Sequence, residues 1–453
     1  MFDRVSRSVR AGGARLAILV FLASALGSVA CSSSDGSPGV GGASAAAGAV
    51  SDFGGRAGGA GQAANGNGNG GASAAGSSAG AGGQTPAAGA PGGGAPTTGG
   101  APGTGGTPAT SGAAGTGGDA TAGTSASGGV SGAAGPCDIY AAGSTPCVAA
   151  HSTVRALFGS YSGALYQVRR ASDKTTKDVA VLGPGGYANS ATQDTFCAGT
   201  TCTVSAIYDQ SAQANHLTVT PPGGWLANGG TEAKATAAKI MISGHPVYGV
   251  YTTGSFDEAV GGVGYRNNKT KGIATGDQPE GMYMVASGKH YNQYCCFDYG
   301  NAETNNKDNG PGTMETLYFG NSTQWGKGSG SGPWVMADLE DGVFAGGSFA
   351  APPSNTSLVA SFVTAMLGGK AGSFRLKGGD AQSGTLKTMY DGARPSGGYN
   401  PMKKEGAIIL GVGGDNSHTG EGTFFEGCIT SGYPSDTSDN AVQANIVAAG
   451  YGR

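Results

Sequence analysis

"GAIILGVGGDNSHTGEGTFFEGCITSG", residues 406–432, joins two apolar runs through a glycine-rich loop. The first run, Ala407–Leu410, reads as a short buried strand. The second, "GTFFEGCITSG", reads as another. Between them Asp415-Asn416-Ser417 is turn chemistry. Runs of the same kind recur along the chain between Gly, Asn and Pro: "ALYQVRR" (164–170), "CTVSAIYDQ" (202–210), "GMYMVASG" (281–288), "ETLYFG" (315–320), "PWVMADLE" (333–340) and "VASFVTAML" (359–367). Period-two alternation runs through several of them. Long amphipathic helices are scarce. "CVAAHSTVRALF" (147–158) and "SDNAVQANIVAAGY" (438–451) are the best helical stretches, the second with Ser438 as N-cap. Many short strands with frequent turns predict an all-β fold, a β-sandwich of the jelly-roll or concanavalin-like kind with a few short peripheral helices. A concave sandwich face can hold sugar in a lectin or in a hydrolase, and the fold does not choose between them.

The rest of the chain is organised differently. Arg4, Arg7, Arg10 and Arg15 precede the apolar run "LAILVFLASALGSVA", which has signal-peptide length and is too short for an ordinary membrane span. Residues 1–30 are read as an export signal. The run ends at "SVACSSS", which matches a lipoprotein cleavage site with Cys31 as the lipidated residue; ordinary cleavage near Ala30 is the competing reading. Residues 31–135 are built from Gly, Ala, Ser, Thr and Pro, with Phe53 the one aromatic. Such a segment buries too little apolar surface to offset its ordering entropy. As a flexible tether of about 100 residues it would reach roughly 50–60 Å. Residues 136–453 then form the folded domain. These features place the protein outside the cell or on a bacterial outer membrane, anchored at Cys31. A net charge of −3 and no basic patch argue against nucleic acid as a partner.

The chain holds eight cysteines. In an oxidising compartment Cys137 with Cys147, and Cys197 with Cys202, form cheap local pairs. With Cys31 set aside, Cys295, Cys296 and Cys428 remain. Either Cys428 pairs with one of the two neighbours, or the neighbours close on each other; spacing leaves both open. The five histidines show no metal-ligand spacing, so no metal is expected.

Two carboxylates in a cleft suffice to cleave a glycosidic bond. In "GPWVMADLEDGVFAGG" Asp338 and Glu340 stand two apart in an apolar run. On a strand they share one face, with Val335, Ala337 and Leu339 on the other. Two like charges on a half-buried face are costly. An exposed strand end, where Asp341-Gly342 begins a turn, is the bland alternative. Asp415 follows the buried strand Ala407–Leu410 into a glycine-rich loop that lets backbone approach a ligand; an ordinary turn competes. Asp209, Asn215 and His216 in "YDQSAQANHLT" read as turn stabilisers. Glu303 in "GNAETNN" is ambiguous. Trp325 in "STQWGKG" is either a sugar-stacking platform or a core aromatic.

Five strings carry a resemblance: "GPCDIYAAGSTPCVAAHSTVRALF", "YCCFDYGNAET", "GPWVMADLE", "GYNPMKKEGAIILGVGGDNS" and "TSGYPSDTSDNAVQANIVAAGY". Through them, nearly all of residues 136–451 resembles the catalytic domain of glycoside hydrolase family 54, whose members are retaining α-L-arabinofuranosidases. The resemblance implies a β-sandwich, Glu340 as nucleophile and Asp415 as general acid/base. It implies that Asp338, Trp325 and the backbone of Gly414 line an arabinose pocket. It also implies that Cys295 and Cys296 form a vicinal disulfide packed against the sugar, which leaves Cys428 a free buried thiol. The expected activity is exo-acting removal of terminal arabinofuranose from arabinan- or arabinoxylan-type plant cell-wall polysaccharide, by a monomer without cofactor. A non-catalytic surface lectin on the same sandwich is the alternative; it would lack one member of the Glu340/Asp415 pair. Two departures stand out. Asp341 occupies a sugar-binding position where Asn is common. The chain stops at Arg453, so the C-terminal arabinose-binding β-trefoil of fungal members is expected to be missing.

Overall fold

The computed structural model describes residues 133–453. The stretches read as an export signal and a tether, with Cys31, lie outside the described residues. Two β-sheets, one of eight strands and one of ten, account for the described fold, with every strand pair antiparallel. All eight stretches read as strands lie on strands. Ala407–Leu410 sits inside the ten-stranded sheet, and Gly422–Ser431 sits inside the eight-stranded one. The loop carrying Asp415 is therefore the crossing from one sheet to the other.

Alternation explains how the layers pack. Along Trp334–Asp338, Val335 and Ala337 enter the main core together with Met282, Met284, Val363 and Leu376 from the facing sheet. Trp334 and Met336 point the other way, into a second cluster with Cys296, Tyr318 and Val343. On the neighbouring strand Glu315–Gly320, Leu317 and Phe319 face the main core and Tyr318 faces the second cluster. Both faces of this sheet are thus covered, and the side chains of one face line a hollow rather than meet water.

Two helical expectations need correction. "CVAAHSTVRALF" is not a helix: Cys147–Ser152 is a strand paired with Gly422–Ser431, Ala150 opposite Cys428. Its residues are buried on both sides, and His151 lies between the Tyr299 hydroxyl (3.0 Å) and the Asn215 carbonyl (2.9 Å). A long strand available for pairing overrides a weak helical pattern. The helix comes earlier, Pro136–Ala142, with Pro136 in its first turn and Gly135 N–H donating to Asp138 (2.8 Å). The C-terminal helix is Asp436–Ala449; its N-cap is Ser435, whose hydroxyl accepts the Ser438 N–H (3.1 Å), and not Ser438. Gly450, at φ 78°, ends it in the left-handed conformation. Arg375 and Lys377 on the sheet hold Asp436 and Asp439 of its first turns at 2.6–2.8 Å.

Disulfides join Cys137 to Cys147, Cys197 to Cys202 and Cys295 to Cys296, and Cys428 is a buried free thiol. Asp209 accepts from the N–H groups of Ala150, Ser211 and Asn215, the turn-holding role read for it.

Candidate active site

The strand Trp334–Asp338 ends before Glu340. Leu339–Gly342 is a tight turn, closed by Leu339 N–H to Gly342 O at 3.1 Å. Glu340 (φ 60°) and Asp341 (φ 56°) both adopt the left-handed conformation. For two successive non-glycine residues this costs about 1–3 kcal/mol each, and such strain persists where the surroundings enforce it. Asp338 helps to enforce it: its Oδ1 accepts the Glu340 N–H at 3.2 Å. Glu340 therefore reaches the hollow from a turn and not from the strand face. Nor is this an exposed strand end, since Asp338 and Glu340 are each only 6% exposed.

Glu303 and Asp298 complete a buried acidic group. Glu303 is fully buried, and its Oε1 accepts the Thr313 hydroxyl at 2.6 Å. Its Oε2 has no hydrogen-bond donor and faces the same Gly414 backbone as the Glu340 carboxyl. Asp298 is fully buried too, and neither of its carboxylate oxygens has a hydrogen-bond donor. Burial, and then the charges of Glu303, Asp338 and Asp415, push the Glu340 carboxyl far above the ordinary range. Burial also raises Glu303, Asp298 and Asp338, the last to about 7. Gly414 explains how the Asp415 loop comes so close. A Cβ there would overlap Glu303 Oε2 and stand 2.7 Å from Glu340 Oε2.

Arg266 holds that loop. Its guanidinium donates to Gly414 O (2.8 Å) and Asn416 Oδ1 (2.9 Å), and also to Glu303 O. Burial lowers its pKa to about 10 against the pull of Glu303, Glu340 and Asp415. Asp415 is itself partly exposed; its Oδ1 accepts the Ser417 N–H at 2.8 Å. The Cys295–Cys296 pair forms an adjoining wall. Cys296 Sγ lies 3.3 Å from Asp338 Oδ2, and the Cys295 carbonyl accepts from Thr419 N–H (3.0 Å) and Oγ1 (2.7 Å).

These groups open on a cavity of about 600 Å³. Glu340, Asp415, Asp338, Asp341, Trp325, Cys295, Cys296 and Gly414 all line it. Trp325 is 42% exposed, so it is no core aromatic. Asp341 is exposed at the rim beside Asp308, and its carbonyl accepts the Tyr399 hydroxyl (3.0 Å). Sequence reasoning did not single out Asp298 or Arg266 and left Glu303 open. Their signal, a charge in an apolar strand context, is weak in "FDYGNAET" and "GYRNN".

A β-sandwich with a small pocket of facing carboxylates has the chemical equipment of a sugar-handling protein. The comparisons narrow this further. The family model "Alpha-L-arabinofuranosidase B, catalytic" matches residues 136–452. The chain is 58% identical over 323 residues to a probable α-L-arabinofuranosidase B of Aspergillus fumigatus, covering 70% of this chain and 62% of that one. It is 56% identical over 324 residues to the α-L-arabinofuranosidase B of Aspergillus oryzae, covering 70% and 63%. A solved arabinofuranosidase complexed with arabinofuranosyl-α-1,2-xylobiose is 54% identical, with TM-score 0.67, over 70% of this chain and 65% of that one. A glycoside hydrolase family 54 α-L-arabinofuranosidase soaked with a cyclic sulfate inhibitor matches with the same identity and TM-score. The chain belongs to glycoside hydrolase family 54, the family of the α-L-arabinofuranosidase B catalytic domain. It spans about 62% of the length of the first curated relative it matches.

Proposed function

We propose that the protein is a retaining, exo-acting α-L-arabinofuranosidase that removes terminal arabinofuranose from plant cell-wall polysaccharide. The observation that supports this most is the meeting of Glu340 and Asp415, on turns from different strands, at one small cavity. Protonated Asp415 gives its proton to the glycosidic oxygen while Glu340 attacks C1, and the leaving sugar departs as an alcohol. Water then attacks C1 of the glycosyl ester, Asp415 takes its proton, and the Glu340 carboxylate is released. Glu303 stands beside the Glu340 carboxyl, and its charge raises the proton affinity of Glu340. Asp338 holds the Glu340 turn and offers its second oxygen to a sugar hydroxyl. The Cys295–Cys296 disulfide supplies a rigid apolar surface for the furanose, and Trp325 a stacking face. The protein is exported, and Cys31 carries a lipid anchor; radiolabelled fatty acid that fails to enter the chain, or enters a Cys31→Ser variant equally, removes the anchor.

The test of the activity is release of 4-nitrophenol from 4-nitrophenyl α-L-arabinofuranoside by the folded protein. NMR of the first-formed arabinose reports the anomer. Retained configuration is expected; inversion overturns the double displacement, and no turnover at all favours a lectin.

A further inference from the structure

Two tryptophans stand at the mouth of the cavity, Trp325 at 42% exposure and Trp225 at 58%. They are tied to opposite sides of the reaction. The Trp325 carbonyl accepts the Val343 N–H (3.3 Å), just beyond the Glu340 turn. The Trp225 N–H donates to the Asp415 carbonyl (3.0 Å).

The turn that carries Trp225 is built against Asp415. Gly223 and Leu226 exchange backbone hydrogen bonds at 2.9 and 3.0 Å, which leaves Gly224 and Trp225 at the tip. Leu226 anchors one leg in a buried cluster with Ala302, Met314, Ile409 and Val412. Asn416 Nδ2 donates to the Gly223 carbonyl at 3.0 Å and anchors the other. Gly224, at φ 51°, has no room for a side chain, because a Cβ would overlap the carbonyl oxygens of Asp415 and Asn306. All this fixes the backbone of Trp225 beside Asp415 while its indole stays in solvent. By contrast Phe256 and Tyr294, also at the rim, pack edge-to-face on each other at 4.8 Å. Among the described residues no aromatic ring stacks on Trp225.

A proton donor stands beside the glycosidic oxygen, and the leaving sugar lies on its far side. We infer that Trp225 is the stacking platform for the leaving group, the backbone sugar ring to which the arabinofuranose is attached. This rests on the reading of Asp415 as the acid. A pyranose face on an indole is the contact the geometry offers, and it acts on the aglycone alone.

Trp225→Ala keeps the N–H that holds Asp415, so it removes the ring and not the tether. Two substrates with the same arabinofuranose separate the effects: arabinofuranosyl-α-1,2-xylobiose and methyl α-L-arabinofuranoside, whose aglycone has no face. The ratio of kcat/KM for the first over the second should fall about tenfold in Trp225→Ala, the loss of one stacking contact. Trp225→Phe should restore most of the ratio. A ratio unchanged in Trp225→Ala, whether both rates fall together or neither does, overturns the platform. A wild-type protein that cleaves neither substrate overturns the reading of Asp415 as acid, and the platform falls with it.

Discussion

Among the buried carboxylates of this domain, two groups are held in opposite ways. Glu280 and Glu315 are fully buried, yet Lys404 bridges them at 2.9 and 2.8 Å and Arg394 approaches Glu315 at 3.4 Å. Burial alone would raise Glu315, but Lys404 and Arg394 outweigh it and hold that carboxyl below its ordinary value. Asp298, Glu303, Asp338 and Glu340 are buried as well, and none of them has an ion-pair partner among the described residues. The cation in reach, Arg266, spends its N–H groups on backbone carbonyls and side-chain amides. Burying carboxylates is costly in either case. In the first group the cations outweigh burial at Glu315 and offset it only in part at Glu280, which burial still raises to about 7. In the second the compensation is left to protons and, on the proposed mechanism, to the positive charge that develops on a sugar ring during cleavage. If the proposed mechanism holds, the contrast separates acids that hold the sandwich together from acids that face a substrate.

The strongest way to break that contrast is Glu340→Gln. Activity on any arabinofuranoside should fall by roughly 10⁴-fold or more, as for a lost nucleophile. The fold should survive with stability equal to or above wild type, because a buried carboxyl crowded by other acids becomes a neutral amide of similar shape. Unfolding of this variant at room temperature, seen by circular dichroism, would place Glu340 among the structural acids. Asp415→Asn comes next. Its rate on oligosaccharides should fall by about 10²–10⁴-fold, the range of general acid catalysis. The loss in the first step should be much smaller on the 4-nitrophenyl glycoside, whose leaving group hardly needs a proton; equal losses on both would assign Asp415 to binding.

Lys404→Met attacks the other group. It leaves Glu280 and Glu315 buried and uncompensated, and should cost about 3–5 kcal/mol in denaturant unfolding. A midpoint equal to wild type would mean that water or protons already balance the pair. Glu303→Gln has the smallest expected effect and the most specific. Glu303 charge and its hydrogen bond both raise Glu340, so Gln should move the acidic limb of the kcat/KM profile to lower pH. The sign extends to stability. Asp338 is raised from 3.8 to about 7, so the folded state holds more protons than the unfolded one between those values. Stability should therefore fall as pH rises from about 4 to 7. An opposite slope confined to this window would mean that the acids are paired after all.

Much of this was legible in the chain. Alternation in "PWVMADLE" and "ETLYFG" is local, and it survives as the two faces of one sheet. The glycine-rich loop around Asp415 reads as one that lets backbone approach a ligand; in the structure its Gly414 backbone closes on the carboxyls of Glu303 and Glu340. Glu340 was placed in the right string but on the wrong element, because left-handed φ at Glu and Asp has no sequence signature. Asp298, Glu303 and Arg266 come from other strands, and nothing in their neighbours says what faces them across the hollow. "CVAAHST" read as helix because pairing with the distant strand Gly422–Ser431 is invisible to a local pattern.

The sequence by itself determined the strands, the local disulfides Cys137–Cys147 and Cys197–Cys202, and the strings that hold Glu340 and Asp415. Those depend on side-chain period and on short chain separations. The tertiary structure decided that Cys295 pairs with Cys296 and leaves Cys428 free, and which buried acids have cations and which do not. A carboxylate's charge state depends on the dielectric and the charges around it, and here those come from strands far apart in the chain.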